Sequence, residues 1–254
     1  MSEFNRPSRK LINLIYKVKS IVETILFLIY KKILKVKNYS LSHSIIIPSA
    51  TYSPWQDNKG FMKILKQIKS KSVLDIMRLY ELWYLDDQLK HIDGEYIEIG
   101  TYKGGSAALI AKKNPENTFF VCDTFQGVAG ASEHDNKYLG GEHSDVNKND
   151  ILEFFGSLQI KNYKIIEGIF PQSASNYLDN IQIKYCHIDV DTYLSAKNSY
   201  EFLWDKMSRG GIIIFDDYGF IGTEGVTKFV NEIKDKKDNY FFHNLNGHAV
   251  IVKL

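Results

Sequence analysis

Cysteine is scarce in this chain, with two residues among 254. Cys122 and Cys186 each lie inside a short apolar run, T-F-F-V-C-D and K-Y-C-H-I-D. This setting favours buried packing thiols over a disulfide or redox pair. Since the sequence also shows no cleavage pattern of a signal peptide, we expect the protein in a reducing cytoplasm.

Long hydrophobic runs are missing as well. In the basic segment 9–37 the uncharged core covers only residues 24–30, far fewer than the roughly 20 residues that span a bilayer. The first 40 residues hold nine Lys/Arg and two Glu, a balance of +7. We therefore predict a basic amphipathic arm over 1–40. It either contacts an anionic membrane surface peripherally through residues 9–37, at the inner face of the membrane, or packs against the body or a second subunit of a homo-oligomer.

The rest of the chain lacks an excess of positive charge. It contains 23 basic and 28 acidic residues, a balance of −5. A nucleic-acid-binding core would carry a basic surface, so no nucleic-acid partner is expected. Repeats and low-complexity tracts are absent from the sequence, and we predict one domain over 41–254.

Strands alternate with helices from residue 95 onward, after an irregular connector over 38–60 and helical periodicity over 61–91. This order predicts a doubly wound, mostly parallel α/β sheet that ends in an antiparallel hairpin around Asn246-Gly247. The predicted strands are 96–100, 118–123, 163–167, 184–191, 211–216, 239–243 and 249–253. The predicted helices are 104–113, 148–158, 172–179, 193–207 and 224–236. The predicted core is Ile97, Ile99, Val121, Ile165, Ile188, Ile212, Ile213 and Ile214.

Paired acids follow two of these strands. Asp189 and Asp191 stand in H-I-D-V-D-T-Y, and Asp216 and Asp217 stand in G-G-I-I-I-F-D-D-Y. If the two strands are parallel neighbours, all four carboxylates meet at the carboxyl edge of the sheet, where open α/β sheets bind ligands. Carboxylates so close repel unless a proton or cation neutralises them, and their oxygens suit Mg²⁺ or a similar hard ion.

A glycine turn, E-I-G-T-Y-K-G-G-S, follows the first strand of this alternation. Tyr102 stands where a dinucleotide fingerprint needs its second glycine, which disfavours pyrophosphate binding. Asp123, near the end of the second strand, is spaced from Gly100 as a ribose-binding acid would be. Together with the acidic edge, these features point to S-adenosylmethionine with a metal beside it. The long polar segment 127–149 is interpreted as a lid over this site, with a plain surface insertion as the alternative.

The chain resembles the macrocin-type sugar O-methyltransferases of bacterial natural-product pathways, from about residue 50 to the C-terminus. The motifs that carry the resemblance include I-E-I-G-T-Y-K-G-G-S (97–106), C-D-T-F-Q-G-V (122–128), H-I-D-V-D-T-Y-L-S-A-K (187–197), G-G-I-I-I-F-D-D-Y-G (210–219) and N-L-N-G-H-A-V (244–250).

The resemblance implies a Rossmann-like class I methyltransferase that depends on S-adenosylmethionine and Mg²⁺ and methylates a hydroxyl of a sugar or glycoside. It implies that the metal ligands are Asp189, Asp216 and Asp217 and that the general base is Asp191. It implies that the cofactor is bound around Glu98, Gly100, Thr101, Ser106, Asp123 and Thr124.

Two alternatives remain open from the residues themselves. The D-x-D spelling at 189–191 is similar to that of metal-dependent glycosyltransferases, which bind nucleotide-sugars but do not need the glycine turn and the ribose acid. A non-catalytic, membrane-associated scaffold would bind neither cofactor nor nucleotide-sugar. Binding of S-adenosylhomocysteine distinguishes the three hypotheses.

Overall fold

The computed structural model describes residues 9–33, 50 and 52–254 of the chain. The chain divides into two units, Met1–Tyr52 and Ser53–Leu254. In the first unit the described residues form helix α1 (Arg9–Ile33), which lies inside the predicted arm. The rest of that arm and most of the predicted connector 38–60 lie outside the described residues. None of the described helices is long and apolar enough to cross a membrane.

The second unit is a seven-stranded sheet with helices on both faces. Its strands are β1 (Glu95–Ile99), β2 (Phe119–Asp123), β3 (Tyr163–Glu167), β4 (Ile183–Ile188), β5 (Met207–Phe215), β6 (Asn239–His243) and β7 (Ala249–Lys253). Its α-helices are α2 (Lys59–Ile68), α3 (Ile76–Asp87), α4 (Gly105–Lys113), α5 (Lys148–Ser157), α6 (Tyr193–Leu203) and α7 (Glu224–Ile233).

The sheet has the strand order β3-β2-β1-β4-β5-β7-β6. Strands β1 to β5 pair in parallel, and β7 runs antiparallel to both β5 and β6. The order reverses direction between β1 and β4, which is the crevice where ligands of such sheets bind. The predicted doubly wound fold and its C-terminal antiparallel strand are confirmed.

Alternate residues of the strands build two separate hydrophobic clusters, as a side-chain period of two requires. On β1, Tyr96 packs with α2, α3 and α4, whereas Ile97 and Ile99 pack on the opposite face with α6 and α7. Seven of the eight predicted core residues are buried. The exception is Ile165, which is half-buried because β3 is an edge strand. Both cysteines are unpaired and buried, as predicted.

The predicted helical periodicity over 61–91 forms two helices, because Asp75 starts a new one. Its side chain accepts hydrogen bonds from the backbone N–H groups of Met77 and Arg78, which caps the N-terminus of α3. The following helix, α4, begins after Gly104, which adopts a positive φ of 78°. These two helix starts place Arg78 and the loop after β1 beside the carboxyl edge of the sheet.

The structure contradicts several details of the predicted elements, among them the helix predicted over 193–207, which ends at Leu203 because β5 already begins at Met207. Residues 172–179 form successive turns, not a helix, because serine and asparagine stabilise turns and backbone bonds such as Ala174 N–H to Pro171 O span only three residues. Strand β4 ends at Ile188, three residues earlier than predicted, and Asp191 adopts a positive φ of 62°. The chain therefore turns away from the sheet where its acidic residues begin.

Candidate functional site

A cavity of about 360 Å³ lies at the carboxyl edge of the sheet. Its walls come from the loops that follow β1, β2, β3, β4 and β5 and from the segment 127–149. Seven of the ten predicted site residues line it: Gly100, Asp123, Thr124, Asp189, Asp191, Asp216 and Asp217.

Three carboxylates converge in this cavity. Oxygen atoms of Asp189, Asp216 and Asp217 all lie within 4.8 Å of one another. Burial raises the pKa of Asp189 well above its usual range, and repulsion from Asp216 and Asp217 raises it further. Burial and repulsion from Asp216 and Asp191 raise the pKa of Asp217, whose Oδ2 has no hydrogen-bond partner among the described residues. The cluster therefore needs additional positive charge.

Arg78 supplies one such charge. Its Nη1 donates to both carboxylate oxygens of Asp216, at 2.7 and 2.8 Å, and its Nε donates to Asp75 at 2.9 Å. The ring of Phe220 lies 5.0 Å from the guanidinium carbon. Sequence reasoning missed Arg78, although its rarity was a usable signal: the chain contains only four arginines.

Asp191 stands apart from the three converging carboxylates, under the segment 127–149. Burial raises the pKa of Asp191 to about 6, although the nearby side chains of His143 and Lys137 lower it and Tyr138 is a hydrogen-bond partner. All three of these neighbours line the cavity. A carboxylate with a pKa near neutrality and access to a cavity can accept a proton at physiological pH.

Backbone strain is concentrated around the cavity. Eight non-glycine residues have a positive φ in the described part of the chain, and four of them line the cavity. These four are Tyr102, His143, Asp191 and Asp217. Such conformations persist only where the surrounding structure enforces them, and they cluster at functional sites.

The loop after β1 reaches the cavity through Gly100 and Tyr102. The backbone N–H of Tyr102 donates to Asp123 Oδ2 at 2.7 Å, and that of Phe125 donates to Asp123 Oδ1 at 2.7 Å. Burial raises the pKa of Asp123, while these N–H groups oppose the increase. The neighbouring Thr124 donates its hydroxyl to the carbonyl of Gly127 at 2.8 Å. Asp123 is thus held rigidly at the cavity wall.

The other three predicted cofactor residues, Glu98, Thr101 and Ser106, are buried behind the cavity wall. The Ser106 hydroxyl donates to Glu98 Oε1 at 2.9 Å, and Glu98 Oε2 lies 3.0 Å from His187 Nδ1. The Thr101 hydroxyl donates to the backbone carbonyl of Cys122 at 3.4 Å, so the contacts of all three residues are with other parts of the protein. His248, in the motif N-L-N-G-H-A-V, is also fully buried and does not line the cavity.

Hydrogen bonds to the start of α6 hold the segment 127–149 at the cavity. The carbonyl of Ala129 accepts hydrogen bonds from Thr192 at 2.7 Å and Ser195 at 2.8 Å, both near the start of α6. Asp135 Oδ1 accepts from the backbone N–H of Tyr193 at 2.9 Å. The segment therefore forms one wall of the cavity, as the lid interpretation requires.

The donor set suits a hard divalent cation. When ionised, the three converging carboxylates carry three negative charges, and Arg78 supplies one positive charge that it shares with Asp75. A divalent cation would neutralise most of the remaining charge, and carboxylate oxygens are the ligands that Mg²⁺ prefers.

Two curated proteins are similar to about half of this chain. An uncharacterized protein of Acanthamoeba polyphaga mimivirus is 28% identical over 131 residues, covering 50% of this chain and 52% of the relative. The 8-demethyl-8-(2,3-dimethoxy-alpha-L-rhamnosyl)-tetracenomycin-C 4'-O-methyltransferase of Streptomyces olivaceus is 27% identical over 142 residues, covering 50% and 54%. The chain thus spans about half the length of these relatives.

Among solved structures, the O-methyltransferase NovP matches with a TM-score of 0.63 at 19% identity, covering 72% of this chain and 82% of NovP. The two proteins therefore share the same fold. The sequence model of the macrocin-O-methyltransferase (TylF) family matches residues 77–242, which include all ten predicted site residues. This match covers well over half of the chain. The chain therefore belongs to the macrocin-O-methyltransferase (TylF) family.

Proposed function

We propose that this protein transfers the methyl group of S-adenosylmethionine to a hydroxyl of a sugar or glycoside, assisted by Mg²⁺. The observation that carries the proposal is that the cluster of Asp189, Asp216 and Asp217 shares one cavity with Asp191, the Gly100 loop and Asp123. Membership of an O-methyltransferase family supports the reaction class. The rhamnosyl substrate in the name of the Streptomyces olivaceus relative supports a sugar hydroxyl as acceptor.

In this proposal Asp123 accepts hydrogen bonds from the ribose hydroxyls of the cofactor. Tyr102 and Phe125 orient its carboxylate through their backbone N–H groups. Gly100 lets the chain turn beside the cofactor, and Thr101 and Thr124 continue the two loops that flank it. Glu98 and Ser106 act from behind the wall by fixing the loop through their own hydrogen bond.

The metal ligands in this proposal are Asp189, Asp216 and Asp217. When bound, Mg²⁺ would lower the pKa of the acceptor hydroxyl and hold its oxygen in position. Arg78 orients Asp216 through its paired hydrogen bonds. The rest of the catalysis comes from positioning within a cavity that the segment 127–149 shields from water.

Asp191 is the proposed general base. Its carboxylate accepts the proton of the acceptor hydroxyl as the oxygen attacks the sulfonium methyl, so an O–H and an S–C bond break and a C–O bond forms. The proton stays on Asp191, and S-adenosylhomocysteine leaves with neutral sulfur. The raised pKa of Asp191, about 6, suits this role because a base is most effective when its pKa is near the working pH.

The N-terminal arm is proposed to contact an anionic membrane surface from the cytoplasm. Helix α1 exposes a broad apolar side that includes Leu14, Val18, Ile21 and Ile25, each more than half exposed. The same helix also contains Arg9 and several lysines but only one acidic residue, Glu23. Basic helices of this kind lie in the headgroup region of anionic bilayers. We retain the boundaries 1–40 and 41–254, with self-association of the arm as the competing outcome.

Calorimetric titration with S-adenosylhomocysteine tests the cofactor, and methyl transfer to a panel of nucleotide-linked and aglycone-linked deoxysugars tests the acceptor. We expect binding of S-adenosylhomocysteine and methylation of at least one sugar hydroxyl. Binding of UDP- or GDP-sugar instead of S-adenosylhomocysteine would support a glycosyltransferase. Binding of neither would support a scaffold.

A further inference from the structure

Two histidines lie behind the cavity wall, each held by a carboxylate. His187, on β4, places Nδ1 3.0 Å from Glu98 Oε2. His248, just before β7, places Nδ1 2.6 Å from Glu81 Oε2. Both imidazoles are fully buried, and neither lines the cavity.

These contacts determine where the Nε2 atoms of the two rings point and whether they donate or accept. A neutral imidazole that donates its Nδ1 hydrogen to a carboxylate carries a bare lone pair on Nε2. The Nε2 atoms of His187 and His248 have no hydrogen-bond partner among the described residues. With a carboxylate oxygen of Asp216 they form a group in which all three ligand atoms lie within 4.8 Å of one another.

Three converging acceptors in a buried site are unfavourable unless something positive lies between them. Asp216 Oδ1 is 3.5 Å from His248 Nε2. Arg78 donates one hydrogen bond to each carboxylate oxygen of Asp216. Because a carboxylate oxygen has two lone pairs, each oxygen can still bind a second group. A cation placed between the three ligand atoms would satisfy all of them at once.

The surroundings favour a metal cation. A histidine that ligates a metal almost always donates its other ring N–H to a carboxylate, and here both histidines have that partner. The carboxylates are themselves fixed, Glu98 by Ser106 and Glu81 by the amide of Asn246 at 2.6 Å. His187 lies on β4, Asp216 directly follows β5 and His248 directly precedes β7, and these three strands are adjacent in the sheet, which fixes the positions of the ligands.

We propose that His187 Nε2, His248 Nε2 and Asp216 form a second metal site, for a transition-metal dication such as Zn²⁺. Imidazole nitrogens with one carboxylate are the ligands that such ions prefer, whereas the carboxylate cluster in the cavity suits Mg²⁺. Asp216 is shared between the two sites. The proposal goes beyond methyl transfer and holds whether or not that activity is correct, because it concerns metal retention by the folded chain.

The test is metal binding by the full-length protein. The protein is treated with EDTA, desalted, given one equivalent of Zn²⁺ in excess Mg²⁺, and desalted again before zinc is measured by mass spectrometry. We expect one zinc ion per chain. With Co²⁺ in place of Zn²⁺, we expect the visible absorption bands of cobalt with nitrogen ligands.

Variants assign the site. His248→Gln should abolish retention of zinc, whereas His91→Gln, which changes an exposed histidine, should leave it unchanged. Asp189→Asn should also leave it unchanged, because Asp189 belongs only to the carboxylate cluster. Glu81→Gln should weaken zinc affinity by about 10–100-fold, as loss of an outer carboxylate does.

Circular dichroism and thermal melting establish that each variant is folded. If His248→Gln does not fold, Glu81→Gln carries the test, since it keeps a side chain that can still hydrogen-bond His248. Equal zinc retention by wild-type, His248→Gln and Glu81→Gln proteins would overturn the proposal. So would a wild-type protein that retains no zinc. Neither result would affect binding of S-adenosylhomocysteine.

Discussion

Gly100 lies directly against the backbone of Asp189. A Cβ atom on Gly100 would stand 1.6 Å from the carbonyl oxygen of Asp189, and Gly100 has a φ of +84°. The two chain segments are joined by the hydrogen bond from Asp189 N–H to Ile99 O, at 2.9 Å. The loop proposed to bind the cofactor and the first proposed metal ligand are therefore a single packed unit.

Gly100→Ala should consequently destabilise the protein. The new methyl group clashes with backbone that cannot move independently, and the left-handed conformation is strained for alanine. We expect the free energy of unfolding to fall by at least about 2 kcal/mol in urea denaturation. Gly156→Ala is the matched control. Gly156 is exposed on α5 with no atom near the new methyl, so alanine should stabilise by up to about 1 kcal/mol. Equal effects at both positions would contradict the proposed packing.

Arg78→Met should also destabilise the protein, by about 3 kcal/mol or more. The substitution leaves the buried carboxylate of Asp216 without its partner, and breaking a buried ion pair on one side costs about 3–5 kcal/mol. Arg209→Met, at an exposed position, should change the free energy of unfolding by less than about 0.5 kcal/mol. Addition of Mg²⁺ should recover part of the loss at Arg78, since the proposed metal would neutralise the same carboxylates. A stability equal to that of Arg209→Met would show that this ion pair contributes nothing.

The contrast between Asp189 and Arg78 shows what the sequence could and could not reveal. The four aspartates end apolar runs whose order along the chain predicts parallel neighbours, so their meeting at one sheet edge followed from local pattern. Arg78 reaches Asp216 across 138 positions, and His248 reaches Glu81 across 167. No periodicity or spacing encodes contacts between side chains so far apart.

The prediction of a helix at 172–179 was wrong for a different reason. Its apolar spacing, through Ala174, Tyr177 and Leu178, resembles one turn of helix, but the serines and asparagine between them satisfy the backbone equally well in turns. Short segments next to a ligand cavity are shaped by tertiary contacts, and Ile169 and Phe170, just before this segment, line the cavity.

Asp191→Asn should reduce kcat by about 10²–10⁴-fold, the range that general bases contribute. An amide cannot accept the hydroxyl proton but has nearly the same size and keeps the hydrogen bond to Tyr138. Affinity for S-adenosylhomocysteine should stay within about twofold of wild type, since Asp191 is proposed to act on the acceptor. Steady-state kinetics and calorimetry measure the two quantities, with the exposed Asp205→Asn as control. Unchanged turnover would remove Asp191 from the mechanism.

Chelation should abolish methyl transfer, and Mg²⁺ alone should restore it. Without a cation, Asp189 and Asp217 repel each other and would repel an acceptor oxygen that is losing its proton. The measurement is initial rate in EDTA, followed by back-titration with Mg²⁺ and, separately, with Zn²⁺. Full activity in EDTA would favour a metal-free methyltransferase. Restoration that requires Zn²⁺ would show that the buried histidine site, rather than the carboxylate cluster, controls the reaction.

Deletion of residues 1–40 should leave the fold and S-adenosylhomocysteine binding intact, because every proposed site residue lies beyond residue 77. It should release the protein from anionic vesicles, since each basic residue near such a surface contributes about 1 kcal/mol. Co-sedimentation with phosphatidylserine-containing and purely zwitterionic vesicles measures this.

A double substitution in the full-length chain, Val18→Ser with Ile25→Ser, removes exposed apolar groups while keeping every charge. If the arm lies in the headgroup region with its apolar side in the acyl boundary, this variant should bind anionic vesicles more weakly than wild type. Loss of self-association in place of vesicle binding, read by analytical ultracentrifugation, would assign the arm to a second copy of the chain. Unfolding of the truncated protein would mean that the boundary at residue 40 is wrong.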